Sequence, residues 1–302
     1  MLRLAGDPVQ AGPRPNPSGR RLRRAALHGV LLVLAAAWLF PILWTVYTSL
    51  RPYDDTAGRG YVSLPGSLSL ENYARAWNEA ELPHFLLNTV LIVGPALVLV
   101  LLLSSLAAFA ISRFSWRFNV TALLILTAGN LLPPQVLITP LFRLFLALPL
   151  PPPLSDNGTF YDQAVGLILI HVAVQLGFCT FVLSNFMKAV SRELTEAALL
   201  DGATALQTWW RVVLPLARAP LAALAMLETT WLYNDFFWAV FLMRTGDKRP
   251  ITSALNNLAG EFFRDGNLLA AGAVLVALPP LIVSLVLQRN LLRGLAISPT
   301  DR

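Results

Sequence analysis

Six long apolar stretches, separated by shorter polar segments, dominate the pattern of the chain. A helix needs about 20 predominantly apolar residues to cross the hydrocarbon core of a bilayer, and each stretch supplies that length. The third stretch is interrupted by Pro133 and Pro134, because proline cannot continue the backbone hydrogen bonds of a helix. The predicted spans cover residues 26–50, 86–111, 118–142, 163–186, 216–243 and 268–287. This pattern predicts an all-α polytopic membrane protein with six transmembrane helices.

The composition supports a membrane protein. Apolar residues make up 56% of the 302 residues and charged residues only 13%, whereas an ordinary soluble domain is about one quarter charged. The mean hydropathy is +0.60, and a water-soluble protein of this size has too little interior to bury so much apolar surface. A disordered chain, a disulfide scaffold and a secreted soluble enzyme are therefore excluded. The one cysteine, Cys179, also rules out an intrachain disulfide and a cysteine-built metal cluster.

Basic residues are distributed unequally between the two sides of the predicted membrane domain. One side, which holds both termini and the 187–218 loop, carries 15 Lys and Arg residues, and the other side carries 8. Because Lys and Arg accumulate on the cytoplasmic side, we expect both termini to be cytoplasmic. We therefore expect a disordered cytoplasmic arm over residues 1–25, a six-span membrane domain over residues 26–289 that includes the 187–215 loop, and a cytoplasmic tail over residues 290–302. The net charge of +6 comes without a dense basic run, so no nucleic-acid partner is expected.

The segment 187–215 leaves the apolar pattern and predicts two short helices. Ser191 can cap a helix that runs to Asp201, and Gly202 provides a permissive backbone for a turn. A second helix is predicted to place four apolar side chains on one face before Leu214-Pro215 ends it; these are Leu206, Trp209, Trp210 and Val213. One interpretation is an amphipathic connector at the membrane surface. The other is a docking element for a soluble partner, with two tryptophans and three acids: Glu193, Glu196 and Asp201.

The same segment carries a recognisable motif. Glu196-Ala197-Ala198, three residues, Gly202, nine residues and then Val212-x-Leu214-Pro215 resembles the EAA signature of the inner-membrane permease subunits of binding-protein-dependent ABC importers. In that family the loop contacts the ATP-hydrolysing subunit. The resemblance implies an ATPase-coupling site formed by Glu196, Ala197, Ala198, Asp201, Gly202, Leu214 and Pro215.

Further segments resemble the carbohydrate branch of that family, in particular the second maltose-type permease subunit. They include Pro41-Ile-Leu-Trp44 at the end of the first span, Ala107-Ala108-Phe109-Ala110 with Arg113, and Trp231 to Trp238 in the fifth span. Two departures stand out. Ser191 occupies the place where a proline usually opens the loop, and the tail after Gly294 lacks the glycine- and lysine-bearing end common in the branch.

Polar side chains inside a span point to function, because they are expensive in lipid. The fifth span holds Glu228 and a cluster of aromatic, amide and carboxylate side chains. The aromatic rings could stack on a sugar, and the amide and carboxylate groups could bind its hydroxyls. The candidates for the substrate path are Trp231, Tyr233, Asn234, Asp235 and Trp238, with Asn130 and Gln135 of the broken third span as weaker ones. The alternative is an aromatic belt at the membrane interface. His171 has no Asp, Glu or other His at ligand spacing and is expected to have a packing role, and Cys179 is expected to be a small buried residue.

These features predict a transport subunit and not an enzyme. The chain has no glycine-rich Walker loop, so it cannot bind ATP by that route, and no cofactor or metal is expected in it. The resemblance implies that ATP and magnesium are bound by separate partner chains. The resemblance implies a bacterial inner-membrane location, a second permease subunit, two ATP-binding subunits, an extracytoplasmic substrate-binding protein and a carbohydrate substrate. An ion-coupled secondary transporter is the alternative, and it would require a charge relay and inverted repeats.

Overall fold

The architecture is helical. A computed structural model describes residues 17–114, 117–254 and 265–295. The helices are α1 (Pro17–Ser49), α2 (Tyr53–Arg59), α3 (Glu71–Glu79), α4 (Leu82–Arg113), α5 (Asn119–Ala128), α6 (Pro134–Ala147), α7 (Ala164–Ala189), α8 (Glu193–Leu200), α9 (Ala205–Thr208), α10 (Leu214–Leu216), α11 (Arg218–Tyr233), α12 (Phe237–Leu242), α13 (Ile251–Ala254) and α14 (Gly266–Leu295). Within these residues the only β pairing is one isolated bridge between Pro149 and Thr159.

The long helices fall at the predicted spans. Among the described residues, four helices are long and apolar enough to cross a membrane: Arg23–Ser49, Leu82–Arg113, Ala164–Ala189 and Gly266–Gln288. The third predicted span is divided between α5 and α6, and the extended backbone of Pro133 separates them. This break agrees with the sequence, since the residue before a proline is pushed out of the helical region.

The fifth predicted span is not continuous, contrary to the expectation of one helix over 216–243. α11 ends at Tyr233, and α12 begins at Phe237. No proline is present to mark this break. Instead, the carboxylate of Asp235 accepts hydrogen bonds from the backbone N–H groups of Trp238 and Ala239 at 3.2 and 3.3 Å, which satisfies free donors at the beginning of α12.

The boundary of the N-terminal arm also differs from the prediction. α1 begins at Pro17, so residues 17–25 are helical where a disordered arm was expected. Proline is favoured in the first turn of a helix because its missing N–H would have no partner there. Residues 1–16 and 296–302 of the predicted arm and tail lie outside the described residues.

The core of the membrane domain lies between α4 and α7. A cluster of buried apolar residues joins these helices to the segment after α9; it includes Val100, Ala108, Cys179, Leu183, Met187, Trp209 and Val213. α5 packs on the other side of α7 at Gly177, where an added methyl group would overlap the carbonyl oxygen of Leu126 and lie 2.6 Å from its carbon. The glycine therefore sets the distance between these two helices.

A buried arginine organises the segment between α1 and α3. Arg51 is fully buried, and its Nε lies 2.7 Å from the carboxylate of Asp55. Its other nitrogens donate to the carbonyl groups of Tyr61 and Ser63 and to the Ser63 hydroxyl. One guanidinium group therefore holds a whole loop in place, and its charge is compensated by Asp55.

On the same side, the segments before α7 and after α12 are clamped together. The carboxylate of Asp162 accepts hydrogen bonds from the backbone and the hydroxyl of Thr245. Lys248 lies 2.5 Å from the carboxylate of Asp156 and also contacts the Asp162 carbonyl group at 3.3 Å. This contact with Lys248 is the largest of the effects that hold the pKa of Asp156 below its ordinary value.

Candidate functional site

The segment between α7 and α11 forms two short helices, which we call the connecting helix pair (residues 191–216). The Ser191 hydroxyl accepts a hydrogen bond from the Glu193 backbone N–H at 3.2 Å, at the start of α8. At the other end, the axis of residues 205–216 meets α11 at an angle of 77°. The second helix continues to Leu216, past the end predicted at Leu214-Pro215, because Pro215 stands in the first turn of α10, where a proline is tolerated.

The turn between the two helices depends on Gly202, whose φ is +85°. The N–H of Gly202 bonds to the carbonyl of Leu199, and the N–H of Ala203 bonds to that of Ala198, each at 3.0 Å. This pair of bonds is the Schellman motif, which requires a left-handed residue that glycine provides without strain. The predicted turn at Gly202 is therefore present.

A capping box begins the second helix. The Thr204 side chain accepts a hydrogen bond from the Gln207 backbone, and the Gln207 side chain accepts one from the Thr204 backbone. The backbone then widens into a π-helical turn over Trp209–Val213. The capping box fixes the N-terminal end of this helix directly after the Gly202 turn that joins it to α8.

The apolar face predicted for the second helix is divided in the structure. Trp209 and Val213 are buried against α4 and α7. Trp210 is 57% exposed and Leu206 63% exposed. The prediction assumed 3.6 residues per turn, and a π-helical turn has more, so four residues at that spacing cannot keep one face.

The exposed side of the connecting helix pair combines apolar and acidic side chains. Leu200, beside the turn, is 89% exposed. Glu196, Ala197, Asp201, Gly202 and Pro215 are exposed as well, whereas Ala198 and Leu214 are half-buried. Among the described residues, no ion pair includes Glu196 or Asp201. The surface therefore has an apolar patch bordered by free carboxylates.

Within the membrane domain, polar side chains of α7 meet the acids of the fifth span. The Cys179 thiol donates a hydrogen bond to Glu228 Oε1 at 3.1 Å. Further along, His171 Nε2 lies 3.7 Å from Asp235 Oδ2. We call this contact line the α7–α11 polar seam.

Sequence reasoning treated His171 and Cys179 as isolated packing residues and missed their acidic neighbours. The available signal was periodicity: His171, Gln175 and Cys179 recur every fourth residue, which places them on one face of a helix. Glu228 and Asp235 are seven residues apart, two helical turns. Matching these two polar faces would have predicted the pairing.

The structure separates the predicted substrate-path residues into two groups. Asp235 is largely buried and caps α12, Tyr233 is buried and donates to the Val276 carbonyl at 2.8 Å, and Trp238 is buried beside Phe237. In contrast, Trp231 is 46% exposed and packs on Phe178. Asn130, Gln135 and Asn234 are exposed too. The exposed group has the free polar and aromatic surface that a ligand would contact.

An apolar groove of about 330 Å³ lies between α4, α11 and α14. The hydroxyls of Thr89 and Tyr233 line it, but both already donate to backbone carbonyl groups. A groove without free polar groups does not suit a hydroxyl-rich ligand. Among the described residues, no three His, Cys, Asp or Glu side chains lie close enough to share a metal ion.

Comparison with known proteins gives a consistent result. The family described as "Binding-protein-dependent transport system inner membrane component" matches residues 82–297. The diacetylchitobiose uptake system permease protein NgcG of Streptomyces coelicolor is 31% identical over 280 residues, which cover 92% of this chain and 89% of that protein. The melibiose/raffinose/stachyose import permease protein MelC of Bacillus subtilis is 27% identical, with 87% and 92% covered.

A solved structure has the same fold. The crystal structure of a bacterial ABC transporter involved in the import of the acidic polysaccharide alginate contains a chain that superposes with a TM-score of 0.76 at 24% sequence identity. The match covers 92% of this chain and 99% of that chain. The arrangement of helices described above is therefore the arrangement of a solved transporter subunit.

Proposed function

The chain belongs to the family of binding-protein-dependent transport system inner membrane components, and from this premise we propose that it is the permease subunit of an ATP-driven importer of a carbohydrate. It would form half of the translocation pathway and couple to the ATPase through the connecting helix pair. The observation that carries the coupling proposal is the exposed surface around the Gly202 turn, where Leu200 and Trp210 stand free beside the unpaired carboxylate of Glu196.

The physical argument for a protein partner concerns the type of surface. Exposed apolar side chains bordered by polar groups mark docking sites, and aromatic residues are enriched at protein interfaces. Lipid headgroups prefer Lys and Arg, whereas this surface presents Glu196 and Asp201. A basic cleft on an ATPase subunit would complement these acids. The rigid turn and the capping box would transmit a push from that partner to α7 and α11 without bending.

The proposal of a carbohydrate substrate rests on the relatives and on the exposed polar group. NgcG and MelC are named for chitobiose-type and raffinose-type sugars. Trp231 offers a ring for stacking, and Asn234, Asn130 and Gln135 offer amides for hydroxyl groups. Tyr233 and Asp235 would position this group, since their own polar atoms are engaged within the protein, and the buried Trp238 would support it by packing.

The remaining parts of the machine would be separate chains. We assign to them a second permease, two ATP-binding subunits that hold ATP and magnesium, and an extracytoplasmic substrate-binding protein. The chain itself would lie in a bacterial inner membrane with both termini and the connecting helix pair in the cytoplasm, as the excess of Lys and Arg on that side favours. The Arg51 loop and the Asp162–Lys248 clamp would then face outward.

The coupling assignment is tested by substrate-stimulated ATP hydrolysis of the reconstituted complex. Glu196→Ala removes the exposed acid, and Gly202→Pro removes both the left-handed backbone and the N–H that bonds to Leu199. Both changes are expected to abolish the stimulation while the complex still assembles. Glu71→Ala, an exposed acid in the first turn of α3, is the matched control. If substrate still stimulates ATP hydrolysis in both variants, the connecting helix pair is only a structural connector, and ion-driven transport is favoured.

The substrate assignment is tested separately by sugar uptake. Trp231→Ala is expected to raise the sugar concentration needed for half-maximal uptake about tenfold, since stacking contributes on the order of 1 kcal/mol or more. Trp38→Ala, which removes an 80% exposed ring on α1, should leave that concentration unchanged. If Trp231→Ala and Trp38→Ala raise this sugar concentration equally, the two tryptophan rings act in membrane anchoring and not in sugar binding.

A further inference from the structure

A small cleft lies at the junction of α4 and the connecting helix pair. It has a volume of about 100 Å³ and is bordered by Arg113 and Phe114 at the end of α4, and by Arg192, Glu196 and Leu199 of the α8 segment. The cleft is therefore in direct contact with the residue that we propose as the acid of the coupling surface.

Arg113 is incompletely satisfied in this cleft. Its Nη1 donates to the carbonyl of Val190 at 3.1 Å, which ties the end of α4 to the end of α7. Its Nε and Nη2 are buried, and no described residue accepts a hydrogen bond from them. These two nitrogens form one edge of the guanidinium fork, the edge that binds two oxygens of one anion. Leaving buried charged donors unpaired is costly.

A second guanidinium group adds to the positive charge. Arg192 borders the same cleft, and its charge acts on Arg113. No described ion pair includes either arginine, although Glu196 stands at the border. Two cations with one carboxylate leave the cleft with a net positive charge, and a bound anion would remove the repulsion between the arginines.

We propose that this cleft binds the phosphate group of an anionic phospholipid of the inner leaflet, with Arg113 as the bidentate donor. The two charged oxygens of a phosphodiester match the two free donors of the Arg113 fork. The rim fits a lipid, because Phe114 and Leu199 are half-exposed apolar side chains. Basic pockets between helices on the cytoplasmic side of a membrane are typical headgroup sites.

The surroundings place the cleft at headgroup level. α4 ends at Arg113, and a few residues later the guanidinium of Arg117 lies over the ring of Phe118, 4.6 Å from its centroid. An exposed arginine stacked on an aromatic ring at the end of a span is typical of the membrane interface. The bound lipid would brace α8 against α4 and so hold Glu196 in place. This last step rests on the proposed function.

The test measures lipid retention directly, without ATP hydrolysis. The complete complex is reconstituted in nanodiscs of phosphatidylcholine that contain phosphatidylglycerol, and the lipid retained after detergent extraction is counted by native mass spectrometry. Arg113→Gln and Arg192→Gln are expected to retain phosphatidylglycerol about tenfold less than the wild type, as the loss of a charge-assisted bond implies. The Arg113→Lys variant should retain an amount of phosphatidylglycerol between that of the glutamine variants and that of the wild type, because lysine keeps the positive charge but lacks the bidentate geometry of the guanidinium group.

The control is Arg117→Gln, which removes an exposed arginine at the same membrane level and should retain the lipid like the wild type. Equal retention by the wild type and the two glutamine variants, or no preference for phosphatidylglycerol over phosphatidylcholine, would overturn the proposal. Displacement of the lipid by millimolar inorganic phosphate would identify free phosphate as the occupant and would likewise overturn it. ATP hydrolysis by the complex is then measured in nanodiscs with and without phosphatidylglycerol. This measurement reports on the coupling surface separately from lipid retention, so that failure of the lipid site and failure of the coupling surface are distinguishable.

Discussion

The Cys179 thiol and the Glu228 carboxylate form a hydrogen bond of 3.1 Å between two side chains that are both fully buried. The contact joins the helix before the connecting helix pair to the helix after it. A thiol is a weak donor, and the Oε2 atom of Glu228 has no partner among the described residues. The seam is therefore a polar contact within an apolar surrounding that leaves one carboxylate oxygen without a partner, and its opening would bring water to a group that is costly to bury unpaired.

Cys179 is consequently expected to report on the opening of the seam. As the only cysteine, it should react with a membrane-permeant maleimide about a hundredfold more slowly in the folded complex than in the unfolded chain, because reaction requires an opening that exposes a buried thiol. The mass increase of the chain over time measures the rate.

The matched control places a thiol at an exposed site of the membrane domain. Asn130→Cys in a Cys179→Ser background should react rapidly, since Asn130 is exposed. If Cys179 in the folded complex reacts as fast as this control, the seam is open in the resting protein and the contact described here does not persist.

The approach of α5 to α7 gives a second prediction. Gly177→Ala would push a methyl group into the Leu126 backbone, and this overpacking is expected to destabilise the domain by about 2 kcal/mol or more. Gly94→Ala is the control, because a methyl group added there meets no atom within 4 Å and alanine is the better helix former. Thermal unfolding should show a lower midpoint for Gly177→Ala only. Equal midpoints would mean that α5 moves aside freely.

The spans could be predicted from the sequence because the bilayer imposes a minimum length on every apolar helix. The prolines at 133 and 134 also revealed the break in the third span. The break in the fifth span could not be predicted, because it depends on the Asp235 carboxylate bonding to two backbone groups and not on a helix-breaking residue.

The candidate site was predictable to a different degree in its two parts. The turn at Gly202 follows from local chemistry and was anticipated. The division of Trp209 from Trp210 follows from a π-helical turn, which hydrophobic periodicity does not reveal. The α7–α11 polar seam joins residues that are far apart in the sequence; Cys179 and Glu228 are 49 positions apart. Such pairs depend on how the helices pack and not on local sequence.

The buried arginine of the segment between α1 and α3 gives a third prediction. Arg51→Ala would leave the Asp55 carboxylate without its principal partner and four backbone or hydroxyl contacts of the loop without a donor. We expect a large fall in the thermal midpoint. Arg59→Ala removes a 61% exposed partner of the same carboxylate at 3.3 Å, and exposed pairs contribute little, so its midpoint should stay near that of the wild type. Similar midpoints for the two variants would contradict the central role of Arg51.

The same pair predicts a dependence on pH. The hydrogen bond from Arg51 is the largest effect on the pKa of Asp55 and holds it below the ordinary value. A carboxyl group whose pKa is lower in the folded state stabilises that state above the unfolded pKa and loses the effect as the pH falls through the folded value. The difference in thermal midpoint between the wild type and Asp55→Asn should thus be constant from about pH 5 to 8 and shrink below about pH 4. A difference that changes near neutral pH would assign the effect to another group.

The capping box of the connecting helix pair gives a further prediction. Thr204→Ala removes the side chain that accepts from Gln207, at an expected cost of about 1 kcal/mol in local stability. The backbone amides that follow should exchange with deuterium about fivefold faster. Gln207→Ala removes the reciprocal bond, and the double variant should exchange more slowly than two independent effects would give. Strictly additive effects would show that the two bonds act separately.

The first helix has an unusual position in the chain. Every described side chain from residue 23 to residue 43 is exposed, and the C-terminal end of α1 is tied to α14 where Asn267 donates to the Thr48 carbonyl, 219 residues later in the sequence. During synthesis α1 leaves the ribosome long before Asn267 exists. Throughout that interval, the end of α1 can contact only the nearby loop and α3, through Tyr47 and Ser49, and its attachment to α14 is one of the last events in the biogenesis of the protein.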